Sequence, residues 1–134
     1  MSPYVSLIIW RWVESGDIEV LLALRSAFQY DDPSRVQPQD FCGGWQIFPS
    51  GKLGGDEGSP LHAAWSKLRD DGGVMAMIGL KALVGNNPTR LRQVDQNCFA
   101  VEIKESDDFD GDSDFLNLVN LSPNYTLVAW KPLG

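Results

Sequence analysis

The chain has 134 residues, of which 43% are hydrophobic, and its formal net charge at pH 7 is -7. A chain of this size can bury one hydrophobic core without disulfide bridges, so we expect a single domain over residues 1–134. The acidic balance argues against a protein that binds nucleic-acid polymers, because such proteins need a basic surface. The apolar runs are far shorter than a membrane span, and the N-terminus lacks the pattern of a signal peptide.

The two cysteines, Cys42 and Cys98, lie far apart in the sequence and fit no metal-binding or redox motif. Reduced structural thiols in a cytoplasmic protein are therefore the expectation.

The N-terminal part of the chain predicts a β-hairpin followed by a loop. Tyr4–Val13 and Ile18–Arg25 are rich in β-branched and aromatic residues, and a short polar turn joins them. Ser26–Gly44 holds two prolines and several polar residues, and it predicts a long surface loop.

The segment Gly51–Gly73 predicts a glycine-rich loop that leads into an amphipathic helix over Ser59–Asp71. Ser59 is a preferred N-cap residue, and Pro60 suits the first helical position. Asp70 and Asp71 fall in the last turn, where the helix dipole disfavours negative charge. A metal or ligand role for this pair therefore competes with a solvated acidic helix end.

The second half of the chain predicts two more strands, then a short helix and a last strand. The two predicted strands are Val74–Val84 and Asn97–Lys104, with a turn at residues 85–88 between them. Phe115–Leu121 is predicted to be a short helix and Tyr125–Lys131 a strand.

Two further features favour structural over functional interpretations. The acidic run of residues 105–114 lacks the glycine and glutamate positions of an EF-hand, so a solvated loop is favoured over a calcium site. His62 is the only histidine, and the sequence around it has no pattern of a catalytic triad, so a helical histidine without a catalytic role is favoured.

The glycine-rich loop and the helix together resemble a degenerate Nudix box, the signature of the Nudix superfamily. The residues from Trp45 to Lys52 are similar to the W-x-x-P-G-G-K lead-in of that family, and Gly51 to Glu57 fits G-x5-E. Asp70 and Asp71 then take the positions of the family's E-E pair. Lys67 stands where the family has a glutamate. This alignment with the family pattern requires one extra residue between Glu57 and Ser66.

The resemblance implies an α/β (α+β) fold, a Nudix-like α/β/α sandwich around a mixed sheet. It also implies a Mg²⁺- or Mn²⁺-assisted hydrolase site for a small nucleotide or diphosphate ligand. The implied catalytic residues are Glu57, Asp70 and Asp71, which would also hold the metal together with Glu102. The implied ligand-binding residues are Arg25, Trp45, Gly51, Lys52 and Lys67, although Trp45 is equally well explained as a core tryptophan.

Lys67 bears on whether such a site is active. Residues 67, 70 and 71 share one face of the helix, so the ammonium group would repel a dication bound by the two aspartates. Three hypotheses follow: a Nudix-like protein that binds a diphosphate ligand with weak or absent hydrolysis, an active metal-dependent pyrophosphohydrolase, and a non-catalytic protein-interaction domain. The sequence identifies neither the ligand nor the oligomeric state.

Overall fold

A mixed sheet of seven strands carries the fold. The computed structural model describes residues 4–29, 37–38, 44–53 and 58–133. The strands are β1 (Tyr4–Trp12), β2 (Ile18–Arg25), β3 (Phe28–Gln29), β4 (Gln37–Pro38), β5 (Trp45–Ile47), β6 (Ser50–Lys52), β7 (Leu91–Asp95), β8 (Cys98–Glu102) and β9 (Tyr125–Pro132). The helices are α1 (Pro60–Gly72) and α2 (Val74–Asn86), with short 3-10 helices at Pro88–Arg90 and Phe115–Leu118.

The sheet is built around the hairpin of β1 and β2. Its main order is β5-β2-β1-β8-β7, while β6 pairs with β1 and β9 pairs with β2. β1 and β8 run parallel, and the other pairs of this sheet run antiparallel. β3 and β4 form a separate two-stranded sheet within the segment predicted to be a loop. The predicted hairpin and the mixed α+β class are confirmed.

One face of the sheet packs against the helices, and we call it the helix face. It is formed by Val5, Leu7 and Ile9 of β1 and by Leu21 and Ala23 of β2, all with zero exposure. These residues belong to one hydrophobic core that also includes buried residues of α1 and α2. Because successive side chains of a strand point to opposite faces, every second residue contributes to this core.

The opposite face of the sheet, which we call the open face, carries the alternate residues. Ile8, Trp10 and Leu22 are half-buried, whereas Trp12 is exposed. None of the four packs against the hydrophobic core on the helix face. The register places Trp45 beside Leu24, and so on this same face.

α1 begins and ends as its sequence predicts. The Ser59 hydroxyl accepts a hydrogen bond of 3.1 Å from the backbone N–H of His62, and Pro60 follows at the first helical position. Trp65 and Leu68 are buried. At the other end, Gly73 adopts φ 94° and ψ 158°, a conformation almost restricted to glycine. The predicted helix over Ser59–Asp71 is confirmed within one residue.

The strand predicted at Val74–Val84 is wrong, because this segment is the helix α2. Only Ala76 and Leu80 are buried in it, while Met75 and Ile78 are exposed. Apolar residues all around the helix hide the helical period, so the β-branched residues gave a false strand signal. Among the described residues, no helix is long and apolar enough to cross a membrane.

The C-terminal predictions are confirmed more closely. The strand predicted at Asn97–Lys104 is β8, and the strand predicted at Tyr125–Lys131 is β9. The short helix predicted at Phe115–Leu121 is a 3-10 helix of four residues. β7, which forms a hairpin with β8, was not predicted.

A buried ion pair between Arg90 and Asp107 connects the segment after α2 with the segment after β8. The Arg90 guanidinium donates hydrogen bonds of 2.6 and 3.0 Å to the two carboxylate oxygens of Asp107. The two side chains are only 12% and 7% exposed. The backbone N–H of Lys104 donates to the same carboxylate at 2.6 Å. The interaction was not evident from sequence because its partners are 17 positions apart.

Burial raises the pKa of the Asp107 carboxyl, but the hydrogen bonds from Arg90 and Lys104, together with the positive charges of these two residues, lower it by more, so the net direction is downward. The pKa of Arg90 is raised, chiefly by its hydrogen bond to Asp107. Both directions favour the charged pair.

We expect Gly73→Ala to destabilise the fold by about 1–3 kcal/mol, because alanine is strained at this φ and ψ. A Cβ here would also lie 3.1 Å from the Cβ of Asn120. Urea unfolding measures the change. The control is Gly85→Ala in α2, where a Cβ meets nothing within 4 Å. That variant should be neutral or stabilised by up to about 1 kcal/mol. Equal stability of Gly73→Ala and wild type would contradict the assignment.

We expect Asp107→Asn to lower the free energy of unfolding by about 3–5 kcal/mol at pH 7, because it leaves the Arg90 charge buried without its counter-ion. The pKa of Asp107 is lower in the folded chain than the value of about 3.9 in an unfolded chain. The stabilisation from the pair is therefore complete above about pH 4 and is lost as the pH falls through the folded-state pKa.

Urea unfolding at pH 7 and at pH 3 tests both statements, since the difference between wild type and Asp107→Asn should shrink at the lower pH. Glu19→Gln is the control, because the Arg11–Glu19 pair is more exposed. It should cost about 1 kcal/mol or less. A pH-independent difference for Asp107→Asn would show that the carboxylate charge is not what stabilises the fold.

Candidate functional site

Lys67 lies across Gly51 on the helix face. A Cβ built on Gly51 would be 3.2 Å from both Cδ and Cε of Lys67 and 3.8 Å from its Nζ. Gly51 pairs with Val5 of β1, which places it on the same face as α1. The missing side chain at residue 51 is therefore what lets the lysine stem lie against the strand.

The two aspartates at the end of α1 have different surroundings. Asp70 is 60% exposed and accepts a hydrogen bond of 3.1 Å from the side chain of its neighbour Arg69. Asp71 is half-buried and accepts a hydrogen bond of 2.9 Å from the Ser122 hydroxyl. The Ser122 backbone N–H also donates to the Asp71 carbonyl at 2.9 Å. Asp71 therefore ties α1 to the segment before β9.

Arg25 stands at the end of β2 in a chain of polar contacts. Its Nη1 donates to Oε1 of Gln46 at 3.2 Å, and Nε2 of Gln46 donates to the Tyr125 hydroxyl at 2.7 Å. Tyr125 is 8% exposed, and its ring packs edge-on against Phe48 with centroids 5.3 Å apart. These partly buried contacts orient the guanidinium group of Arg25.

This chain of contacts connects Arg25 with the end of α1. The backbone N–H of Tyr125 donates to the Ser122 carbonyl at 3.1 Å, and Ser122 in turn contacts Asp71. Phe48 packs against the end of α1, where a Cβ on Gly72 would lie 3.0 Å from its Cζ. Ser122, Gln46 and Tyr125 were missed by sequence reasoning, since no local spacing relates them to Asp71 or Arg25.

The register separates two predicted ligand-binding residues from Lys67. Lys52 pairs with Tyr4, and Trp45 pairs with Leu24, so the alternation of side chains along the strands places both on the open face. Trp45 is 39% exposed, and Nζ of Lys131 lies 4.5 Å from its ring centroid. The helix face thus holds Gly51, Lys67 and Arg25, whereas Lys52 and Trp45 do not join them.

Glu102 is also remote from Gly51. It pairs with Trp10, and so lies on the open face, whereas Gly51 pairs with Val5. The two levels are five residues apart along β1, which is about 17 Å. Glu102 is separated from Gly51 both by the sheet itself and by this distance.

The carboxylates that the structure describes do not fit a Mg²⁺ or Mn²⁺ site. A hard dication needs several oxygen ligands that converge on one point. Within residues 4–29, 37–38, 44–53 and 58–133, no three acidic, histidine or cysteine side chains are grouped to hold an ion. Glu57, the remaining predicted ligand, lies outside the described residues, as does Cys42.

The acidic segment 105–114 uses its carboxylates to shape its own backbone. Asp108 accepts from the N–H of Gly111, Asp112 from the N–H of Asp114, and Asp114 from the N–H of Leu116. The pKa of Asp112 is lowered, first by this backbone hydrogen bond and then by one from the side chain of Asn117. These local contacts account for the carboxylates in the manner of turns and caps. His62 is exposed on α1.

Comparison with known proteins adds a likeness of fold. No protein-family model matches the sequence, and no curated protein matches it either. Among solved structures, the chain is similar to a C. elegans Ap4A hydrolase in a binary complex, with 15% identity over 99% of this chain and 81% of that chain, and a TM-score of 0.51. A Nudix hydrolase from M. smegmatis, RenU, matches with 14% identity, coverage of 98% and 70%, and a TM-score of 0.47.

At such low sequence identity, the structural similarity is evidence about the fold alone. The Ap4A hydrolase match extends over nearly the whole chain, including the sheet and both helices. The mixed sheet with two helices agrees with the mixed α+β class that the sequence resemblance implies. The protein has a Nudix-like fold.

Proposed function

We propose that the chain binds a nucleotide or another diphosphate-containing small molecule on the helix face, with weak or absent hydrolysis. The observation that carries this proposal is the position of Lys67 across Gly51. On the family register, Lys67 occupies a position where the resemblance expects a glutamate. An ammonium group at this position supplies a positive charge beside Gly51, the first residue of the glycine-rich segment that the resemblance implies for phosphate contact.

Arg25 supports the same proposal as a second cation on this face. Its guanidinium is oriented by Gln46, which is itself held by the buried Tyr125. A guanidinium held in this way can present paired donors to phosphate oxygens, while a lysine acts as a point charge. Lys67 and Arg25 together suit a ligand with more than one anionic group.

The surroundings of the aspartates support weak or absent hydrolysis. A dication 4 Å from an ammonium group is repelled by about 8 kcal/mol at an effective dielectric constant of 20. Lys67 lies one helical turn before Asp70 and Asp71, so a metal held by this pair would meet that repulsion. One oxygen of Asp71 already accepts the Ser122 hydroxyl. The chain can bind a diphosphate through its own cations without a metal.

We expect ADP, Ap4A and inorganic pyrophosphate to raise the melting temperature in the absence of Mg²⁺. At a ligand concentration 100 times Kd, the stabilisation is about 2.7 kcal/mol, or roughly 5 °C or more. Lys67→Met keeps an apolar stem against Gly51 and removes the charge. We expect it to weaken binding about 10-fold or more in calorimetric titration without unfolding the protein.

The matched control is Lys81→Met, which removes the same charge from an exposed position on α2 and should leave binding unchanged. Equal loss in both variants would show that only net charge matters, and would contradict the proposed site. Phosphate-release assays with Mg²⁺ complete the test. Turnover at ordinary enzyme rates of about 1–10³ s⁻¹ would replace this proposal with the hydrolase. No binding of any of the three ligands would favour the interaction domain.

A further inference from the structure

The open face of the sheet is an apolar surface on the side opposite the ligand site. Trp12 is 56% exposed, Leu127 50% and Trp45 39%. Between them lie half-buried apolar side chains that do not pack against the hydrophobic core, namely Ile8, Trp10, Ile18, Leu22, Leu24 and Ile47. An apolar patch that extends over several strands is characteristic of a surface that binds another protein.

The charge of the open face differs from that of the whole chain. By the strand register, Lys52, Arg92 and Lys131 lie on it together with Asp95 and Glu102. Three cations and two anions make it nearly neutral, whereas the chain carries a net charge of -7. This face is therefore a place where a second acidic copy can approach with little repulsion. A polyanion would need a strongly basic surface instead.

One row of residues across this face carries opposite charges at its two ends. Trp10 of β1 pairs with Glu102 of β8 on one side and with Val20 of β2 on the other. Val20 pairs in turn with Lys131 of β9. The row thus runs Glu102, Trp10, Val20, Lys131 over four adjacent strands, with two apolar side chains between an anion and a cation.

We propose that the open face is the interface of a homodimer, in which two copies pack sheet against sheet. The two-fold axis runs parallel to the strands, between β1 and β2, in the plane midway between the two sheets. It places the row of one copy over the row of the other with the order of the four residues reversed. Glu102 of each copy then faces Lys131 of its partner, and Trp10 faces Val20. Aligned packing of two twisted sheets about 10 Å apart is a common arrangement in sandwich proteins.

The flat area of the face is close to the lower limit for a stable dimer, and side-chain relief adds to it. Five strands about 4.8 Å apart and five to six residues long make a surface of about 25 Å by 20 Å, or roughly 500 Å² per protomer before side-chain relief is counted. Specific interfaces begin at about 600 Å² per partner. Nζ of Lys131 lies 4.5 Å from the ring centroid of Trp45, so this charge lies on the open face.

Light scattering coupled to gel filtration tests the proposal with the full chain at about 100 µM. We expect a mass of 29.6 kDa, twice the 14.8 kDa of the chain. Trp12→Lys and Leu127→Lys should each weaken the dimer by about 30-fold or more, because each places a charge in an apolar contact. Circular dichroism confirms folding. The control Met75→Lys adds the same charge at an equally exposed apolar residue on α2 and should leave the dimer intact.

Charge exchange identifies the geometry of the dimer. Glu102→Lys and Lys131→Glu should each raise the dimer Kd, and the double variant should restore it because the two charges again face each other. A wild-type mass of 14.8 kDa at this concentration would overturn the proposal. Loss of the dimer in Met75→Lys, or failure of the double variant to restore the Kd, would overturn the proposed face or axis. Binding of an oligonucleotide by a monomeric wild type would replace the second copy with a nucleic acid.

Discussion

The packing of α1 on one face of the sheet determines where each candidate ligand-binding side chain lies. Leu7 and Ile9 of β1 are fully buried beneath the helix. Gly72 lets α1 approach Phe48 so closely that a Cβ would lie 3.0 Å from the ring. In this position of α1, the side chain of Lys67 lies against Gly51. The apolar contacts that stabilise the fold are therefore also the contacts that position the cation.

Local chemistry made α1 predictable, because a serine cap, a proline at the first turn and a glycine stop all lie within one segment. The sequence did not predict α2, because Val74 and Met75 are apolar yet exposed while Ala76 is buried, so the helical period is hidden. The Arg90–Asp107 ion pair could not be predicted from the sequence for another reason. Its partners meet only after the chain has folded, and no spacing relates them.

The candidate site was predicted in part for the same physical reason. Residues on the loop and helix, such as Gly51 and Lys67, are close in the sequence and stay close in the fold. Lys52, Trp45 and Glu102 depend on the pleat of the sheet, where a shift of one residue moves a side chain to the opposite face. Strand register is a property of the paired strands, and composition does not specify it. The division into two faces also separates the proposed ligand site from the proposed dimer interface.

The most direct test of this division is an NMR titration of ¹⁵N-labelled protein with ADP in the absence of metal. Binding on the helix face predicts chemical-shift changes at the backbone amides of Gly51 and Lys67. The indole N–H signals of Trp12 and Trp45, which belong to the opposite face, should not move. Shifts of these indole signals, with Gly51 and Lys67 unchanged, would contradict the account and place the ligand on the open face.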